Sequence, residues 1–158
     1  MDSTALVQQL ASHLLQRGWM MVTAESCTGG LIAASCTELA GSSNWFERGF
    51  VTYSNAAKSE SIGVPAQLLA EHGAVSEAVA RAMARGALLN AHAQVSVAVT
   101  GIAGPSGGSP DKPVGTVWFA WCVHDHIDSE RQVLSGDRAE VRNASVEHAL
   151  QGLLDRLV

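Results

Sequence analysis

Short apolar runs of strand length alternate with helical periodicities along this chain, and that alternation constrains the fold more than any other feature. Residues 19–24 form a short apolar run, and residues 94–100 are β-branched and alternating. Residues 3–17 place Leu6, Leu10 and Leu14 four apart, with Val7 and Ala11 beside them, as an amphipathic helix does; Gly18 is its stop signal. Residues 31–39 have helical composition and end at Gly41. Residues 48–53 predict a second strand with Tyr53 at its end, and residues 55–62 a short helix broken by Gly63 and Pro65. Residues 76–91 predict a helix capped by Ser76. Residues 114–123 predict a strand, 124–128 a turn and 129–134 a returning strand. Asp137 with Glu140 gives a capping-box start to a last helix, whose Val146, Leu150, Leu153 and Leu157 share a face. Strands separated by helices, followed by a hairpin, predict an α/β fold: a three-layer α/β/α sandwich around a mixed β-sheet. At 158 residues, without linker, repeat or low-complexity stretch, one domain over 1–158 is expected.

Composition narrows the function. Net charge is −5, no basic run occurs and aromatics are 5 %, so a nucleic-acid partner is not expected. No apolar run is long enough to span a bilayer, and the MDSTALVQQL start lacks the basic cluster of a secretory signal, so no membrane partner is expected. Cys27, Cys36 and Cys122 are odd in number and lack C-x-x-C spacing, the pattern of reduced thiols in a cytoplasmic protein. The face shared by the terminal helix's leucines could seat a second copy, so a homo-oligomer, specifically a dimer, is expected.

Four stretches can carry chemistry. In AESCTGG, residues 24–30, Ser26 lies where a strand gives way to a helix, and the N–H groups of Thr28, Gly29 and Gly30 are placed to hold an anion or a developing oxyanion. Ser26 or Thr28 could equally be a helix N-cap. Cys27 beside it could rival it as nucleophile if the helix start lowers its pKa, though no partnering His is evident. In FVTYSNAAKSESIGV, residues 50–64, Tyr53 is the only tyrosine and Lys58 one of two lysines. A lysine shielded from water there would be a neutral base; one in water would be an ordinary surface charge. The Gly/Pro-rich loop at residues 101–113, with Lys112 near its end, could cradle a phosphate or sugar around Thr100, Gly101 and Gly104; it fits neither a Walker nor a dinucleotide pattern. Arg138 and Arg142, four apart, present two forks suited to a phosphate or a solvated helix start paired with Glu140 and Glu147. His124 and His126 flank a polar turn without a third ligand, so no metal site is assigned.

AESCTGG, ERGFVTYSNAAKSESIGV, EHGAVSE, TGIAGPSGGSPDKPVGTVWFA and SGDRAEVR occur in one order, and together they resemble the C-terminal domain of the competence/damage-inducible protein CinA. The resemblance covers essentially the whole chain, and it is similar to the family's stand-alone form, without the large N-terminal domain of full-length CinA. It implies hydrolysis of the carboxamide of nicotinamide mononucleotide (NMN) to nicotinate mononucleotide and ammonia, in pyridine nucleotide salvage, with no metal or cofactor. The family's Ser, Tyr and Lys fall on Ser26, Tyr53 and Lys58. The implied mechanism has Lys58 taking the Ser26 proton, directly or through Tyr53, and the oxyanion held by Thr28, Gly29 and Gly30. Thr100, Gly101, Gly104, Arg138 and Arg142 match the family's nucleotide-binding segments. The alternative expectation is a non-catalytic module that binds a pyridine nucleotide or a regulatory protein.

Overall fold

The computed structural model describes residues 2–158. Five strands form one sheet: β1 (Met21–Glu25), β2 (Phe46–Val51), β3 (Val95–Gly101), β4 (Thr116–Val123) and β5 (His126–Val133), in the order β2-β1-β3-β4-β5. β1 pairs parallel with β2 and β3, and β3–β4–β5 continue antiparallel. The expected mixed sheet is therefore present. Helices α1 (Ser3–Arg17), α2 (Leu31–Thr37) and α6 (Arg138–Leu157) cover one face. Helices α3 (Asn55–Ile62), α4 (Ala66–His72) and α5 (Glu77–Leu89) cover the other. No helix is long and apolar enough to cross a membrane.

Strand alternation sorts side chains by size between these layers. Val95, Val97, Val99, Phe119 and Trp121 face the α1/α2/α6 layer. Ala24, Ala98 and Ala120 face α5. Small residues there let α5 lie close, and its own Gly86 meets the Ile62 carbonyl so tightly that a Cβ would come to 2.0 Å. Every residue of β1 is buried, as a central parallel strand requires.

Most boundaries shift by one to three residues from expectation, and three departures have a physical cause. β2 stops at Val51, so Tyr53 stands two residues beyond the strand, because Thr52 is the last residue to bond β1, through its N–H to the Glu25 carbonyl. The hairpin turn is only His124 and Asp125, and β5 begins at His126; His124 takes the left-handed conformation (φ 54°) that such a tight reversal needs. Helix α4 follows Pro65, where the sequence showed only breakers; its seven residues bury just Leu69, too little to give a helical period.

The terminal helix corrects the expected dimer surface. Val146, Leu150, Leu153 and Leu157 are buried within the chain's own α1/α2/α6 layer. That face is spent on folding and is not open to a second copy.

Candidate active site

In an open α/β sheet, ligands bind where successive crossovers leave a strand toward opposite sides. Here the chain leaves β1 to make β2 on one side and returns to make β3 on the other, so the switch point lies between the C-terminal ends of β1 and β3. A cavity of about 290 Å³ opens there. Ser26 follows β1, and its N–H donates to the Val99 carbonyl of β3 at 3.0 Å. Thr100, Gly101 and Gly104 line the opposite wall, and Tyr53, Asn55 and Lys58 come from the β2–α3 connection.

The centre of the cavity is a Ser–Lys contact. Lys58 is 1 % exposed and Ser26 8 %. The ammonium nitrogen of Lys58 lies 3.1 Å from Ser26 Oγ and 3.1 Å from the Thr52 carbonyl, to which it donates. Ser54 caps α3 through the Ala57 N–H, and one turn later Lys58 points inward, toward the end of β1. Burial pushes its pKa below the ordinary lysine value, since no carboxylate compensates the lost hydration. A neutral amine that donates an N–H hydrogen bond to the Thr52 carbonyl keeps its lone pair for the serine hydroxyl.

Cys27 also lines the cavity, but burial pushes its thiol up to about 11 rather than down. The helix start does not activate it. Cys36 and Cys122 are buried free thiols in the core.

The N-terminus of α2 is already occupied. Glu25 is fully buried, and its carboxylate accepts from Thr28 Oγ1 at 2.6 Å, from the Ile32 N–H at 2.9 Å and from the Ala33 N–H at 3.0 Å. This corrects the placement of Thr28, Gly29 and Gly30. Thr28 is buried with its hydroxyl on Glu25, and the Gly29 N–H closes a turn on the Ser26 carbonyl. None of the three lines the cavity. Gly29 and Gly30 adopt φ of 58° and 102°, so the glycines serve the turn itself.

The two arginines separate. Arg138 reaches the cavity rim, donating to the Tyr53 hydroxyl at 3.0 Å and to the Gly104 carbonyl at 2.9 Å. Arg142 lies behind the Ser26 turn, donating to the carbonyls of Cys27 and Thr28 at 3.1 and 3.3 Å. Its guanidinium is committed to the main chain and is absent from the lining. Tyr53, 60 % exposed, bonds Arg138 and neither Ser26 nor Lys58. The Thr100 hydroxyl is held by the Ala74 carbonyl, so its contribution to the wall is largely shape. Lys112 donates to the His72 carbonyl and tethers the glycine-rich loop to α4 from outside the cavity.

Sequence reasoning missed Asn55 in the lining, and the role of Glu25. Glu25 stood inside the quoted AESCTGG stretch; a carboxylate just before a Gly-Gly helix start is the signal that could have found it. At the hairpin, His124 meets the Trp19 ring edge-on and His126 pairs with Asp128. Among the described residues no three His, Cys, Asp or Glu gather as a metal-binding group.

The switch point of this mixed α/β sheet thus holds a cavity walled by a buried serine in contact with a buried lysine. The chain belongs to the CinA C-terminal domain family, whose model matches residues 3–157. It is 52 % identical, over 96 % of its length and 94 % of the relative's, to "Nicotinamide-nucleotide amidohydrolase PncC" of Pseudomonas putida. It is 54 % identical to the Escherichia coli K12 protein of the same name, over 94 % of this chain and 90 % of that one. A "CinA-like protein" of Akkermansia muciniphila is 49 % identical, but there the match spans only 37 % of a longer protein. Among solved structures, competence damage-inducible protein A of Klebsiella pneumoniae superposes with a TM-score of 0.96 at 40 % identity, covering 99 % of this chain and 98 % of that one.

Proposed function

We propose that this chain is a nicotinamide-nucleotide amidohydrolase that converts NMN to nicotinate mononucleotide and ammonia with Ser26 as nucleophile and Lys58 as general base. The observation that carries the mechanism is the 3.1 Å contact between two buried side chains, Ser26 Oγ and Lys58 Nζ, on a cavity wall. The PncC names of relatives above 50 % identity support the substrate.

Lys58, whose pKa burial lowers, takes the Ser26 proton directly once it has lost its own; Tyr53 is too engaged with Arg138 to serve as a relay. Ser26 Oγ attacks the carboxamide carbon. The oxyanion is held by main-chain donors of Cys27 and of the Ala103–Gly104 stretch, which line the cavity, and not by Thr28–Gly30. Lys58 then protonates the departing ammonia and activates the water that releases the acyl group. Arg138 meets the phosphate at the rim with its planar fork. Tyr53 offers an aromatic face to the cationic pyridinium ring. The glycine-rich wall lets ribose approach the main chain; at Gly101 the glycine also serves the packing of that wall on β4, since a Cβ would lie 2.7 Å from Val117. No step calls on a metal or cofactor, and three buried thiols suit a cytoplasmic, reducing setting. Dimerisation would have to use a surface other than the apolar face of α6.

The test is ammonia release from NMN by EDTA-treated protein, beside its Ser26→Ala variant. Release by the parent and none by the variant is expected. Binding of NMN without release by the parent would overturn the enzyme reading in favour of a binding module.

A further inference from the structure

The buried carboxylate of Glu25 has no part in the chemistry just described, yet it holds the turn that carries Ser26. Its side chain reaches past Ser26 and Cys27 to take the Thr28 hydroxyl and two N–H groups of α2. Its own carbonyl accepts the Thr52 N–H at 2.8 Å. The Thr52 carbonyl accepts from Lys58, and Lys58 contacts Ser26, the residue after Glu25. The four residues form a closed ring. Glu25 is the only member of that ring whose side chain anchors it to a helix.

We propose that Glu25 is a positioning residue for the nucleophile: its charge at the start of α2 fixes the Ser26 turn at the distance from Lys58 that proton transfer requires. The proposal rests on the Ser/Lys reading above. Three features of the structure carry it. A carboxylate with no exposure is costly to bury unless its acceptors are filled, and here three donors fill them. The helix dipole favours a negative charge at that end. Arg142 holds the same turn from the opposite side by its Cys27 and Thr28 carbonyls, so the turn is gripped by its donors and its acceptors at once. The consequence is that α2 offers its N-terminus to Glu25 and not to substrate.

Glu25→Gln keeps shape but removes the charge, and its amide turns an N–H toward a main-chain N–H. A misplaced reacting atom costs about 100-fold in rate. We expect the kcat of Glu25→Gln on NMN to fall by roughly that factor with KM changed less than about threefold, in a protein that stays folded by circular dichroism. A loss carried by KM, or no loss of kcat, would overturn the proposal. Should Glu25→Gln fail to fold, Thr28→Val removes a single donor from the same carboxylate. It should lower kcat by about fivefold to tenfold at constant KM, and an unchanged kcat there would be equally fatal. Labelling of Ser26 by a small sulfonyl fluoride, followed by intact mass, separates this idea from the substrate assignment. If the parent labels at Ser26 and does not hydrolyse NMN, the substrate is wrong; slowed labelling of Glu25→Gln still supports positioning, and labelling at the parent rate overturns it.

Discussion

The parallel half of the sheet and the antiparallel half face opposite demands. The ends of β1, β2 and β3 deliver Ser26, Tyr53, and Thr100 and Gly101 to one crevice, with Glu25 and Thr52 buried just behind it. The β4–β5 hairpin delivers nothing to it beyond support. Its fully buried tryptophan, Trp121, bonds the Ala149 carbonyl through its indole N–H and lies under the Arg156 guanidinium at 4.0 Å from the ring centroid. Parallel strands aligned at their C-terminal ends collect polar termini in one place, whereas a hairpin sends alternate ends away from it. Substitutions in the first half should therefore alter rate, and substitutions in the second should alter stability.

The largest effect belongs to the Ser–Lys pair. Ser26→Ala or Lys58→Met should each lower kcat by on the order of 10³-fold or more, and the double variant hardly further, because the two act as a unit. Steady-state ammonia release checks this; a double variant far slower than either single would separate the two roles. The rate should rise with pH as Lys58 loses its proton, with a midpoint below the ordinary lysine value of about 10.4, because burial disfavours the charged form. The sign for stability follows. A lysine with a depressed folded pKa binds fewer protons folded than unfolded, so stability rises with pH between the two values and is lost as pH falls toward the folded one. Lys58→Met should thus match or exceed the parent in Tm at pH 7 while being inactive.

The comparison is sharpened by two arginines on one helix. Arg138→Ala should raise KM for NMN by roughly tenfold to 100-fold with little change in kcat, since it removes a rim contact. Arg142→Ala should lower kcat and Tm, because it releases the Cys27 and Thr28 carbonyls. Steady-state kinetics on both variants read the split, and a KM effect from Arg142 would place the phosphate behind the turn. The sequence put these residues four apart on one face and assigned both to substrate. At about 100° per residue, four residues turn the helix 400°, leaving the pair some 40° apart. Which of the two meets the cavity then depends on how α6 docks on the sheet, and that is decided by contacts far along the chain. Ser26 and Lys58 were legible because each follows a strand by a short local turn. Glu25 was not, because its partners at Thr28, Ile32 and Ala33 appear only when the turn closes.

In the hairpin half, Gly152→Ala is the matching perturbation. A Cβ there would stand 2.1 Å from the Trp121 ring, whose atoms cannot retreat in a filled core. Overpacking of this kind costs about 1–3 kcal/mol, which for a chain of this length lowers Tm by roughly 2–12 °C. Thermal unfolding measures the loss, and the kcat of the folded fraction should stay within about twofold. A large loss of kcat at unchanged Tm would break the division between the two halves.

The smallest effect is expected where the sequence raised equal suspicion. Lys112 and Lys58 are the only lysines, and each sits in a motif of the family. Lys58 reaches a buried serine, while Lys112 spends its charge on the His72 carbonyl at the end of α4, in water. Solvent supplies what that contact would lose, so Lys112→Ala should shift stability by no more than about 0.5 kcal/mol and kcat by less than about twofold. The same deletion of an amine differs a thousandfold between the two sites because hydration is available at one and excluded at the other. A tenfold loss of activity from Lys112→Ala would mean that the loop tether reaches the cavity, and the wall around Gly101 and Gly104 would then have to be treated as a moving part.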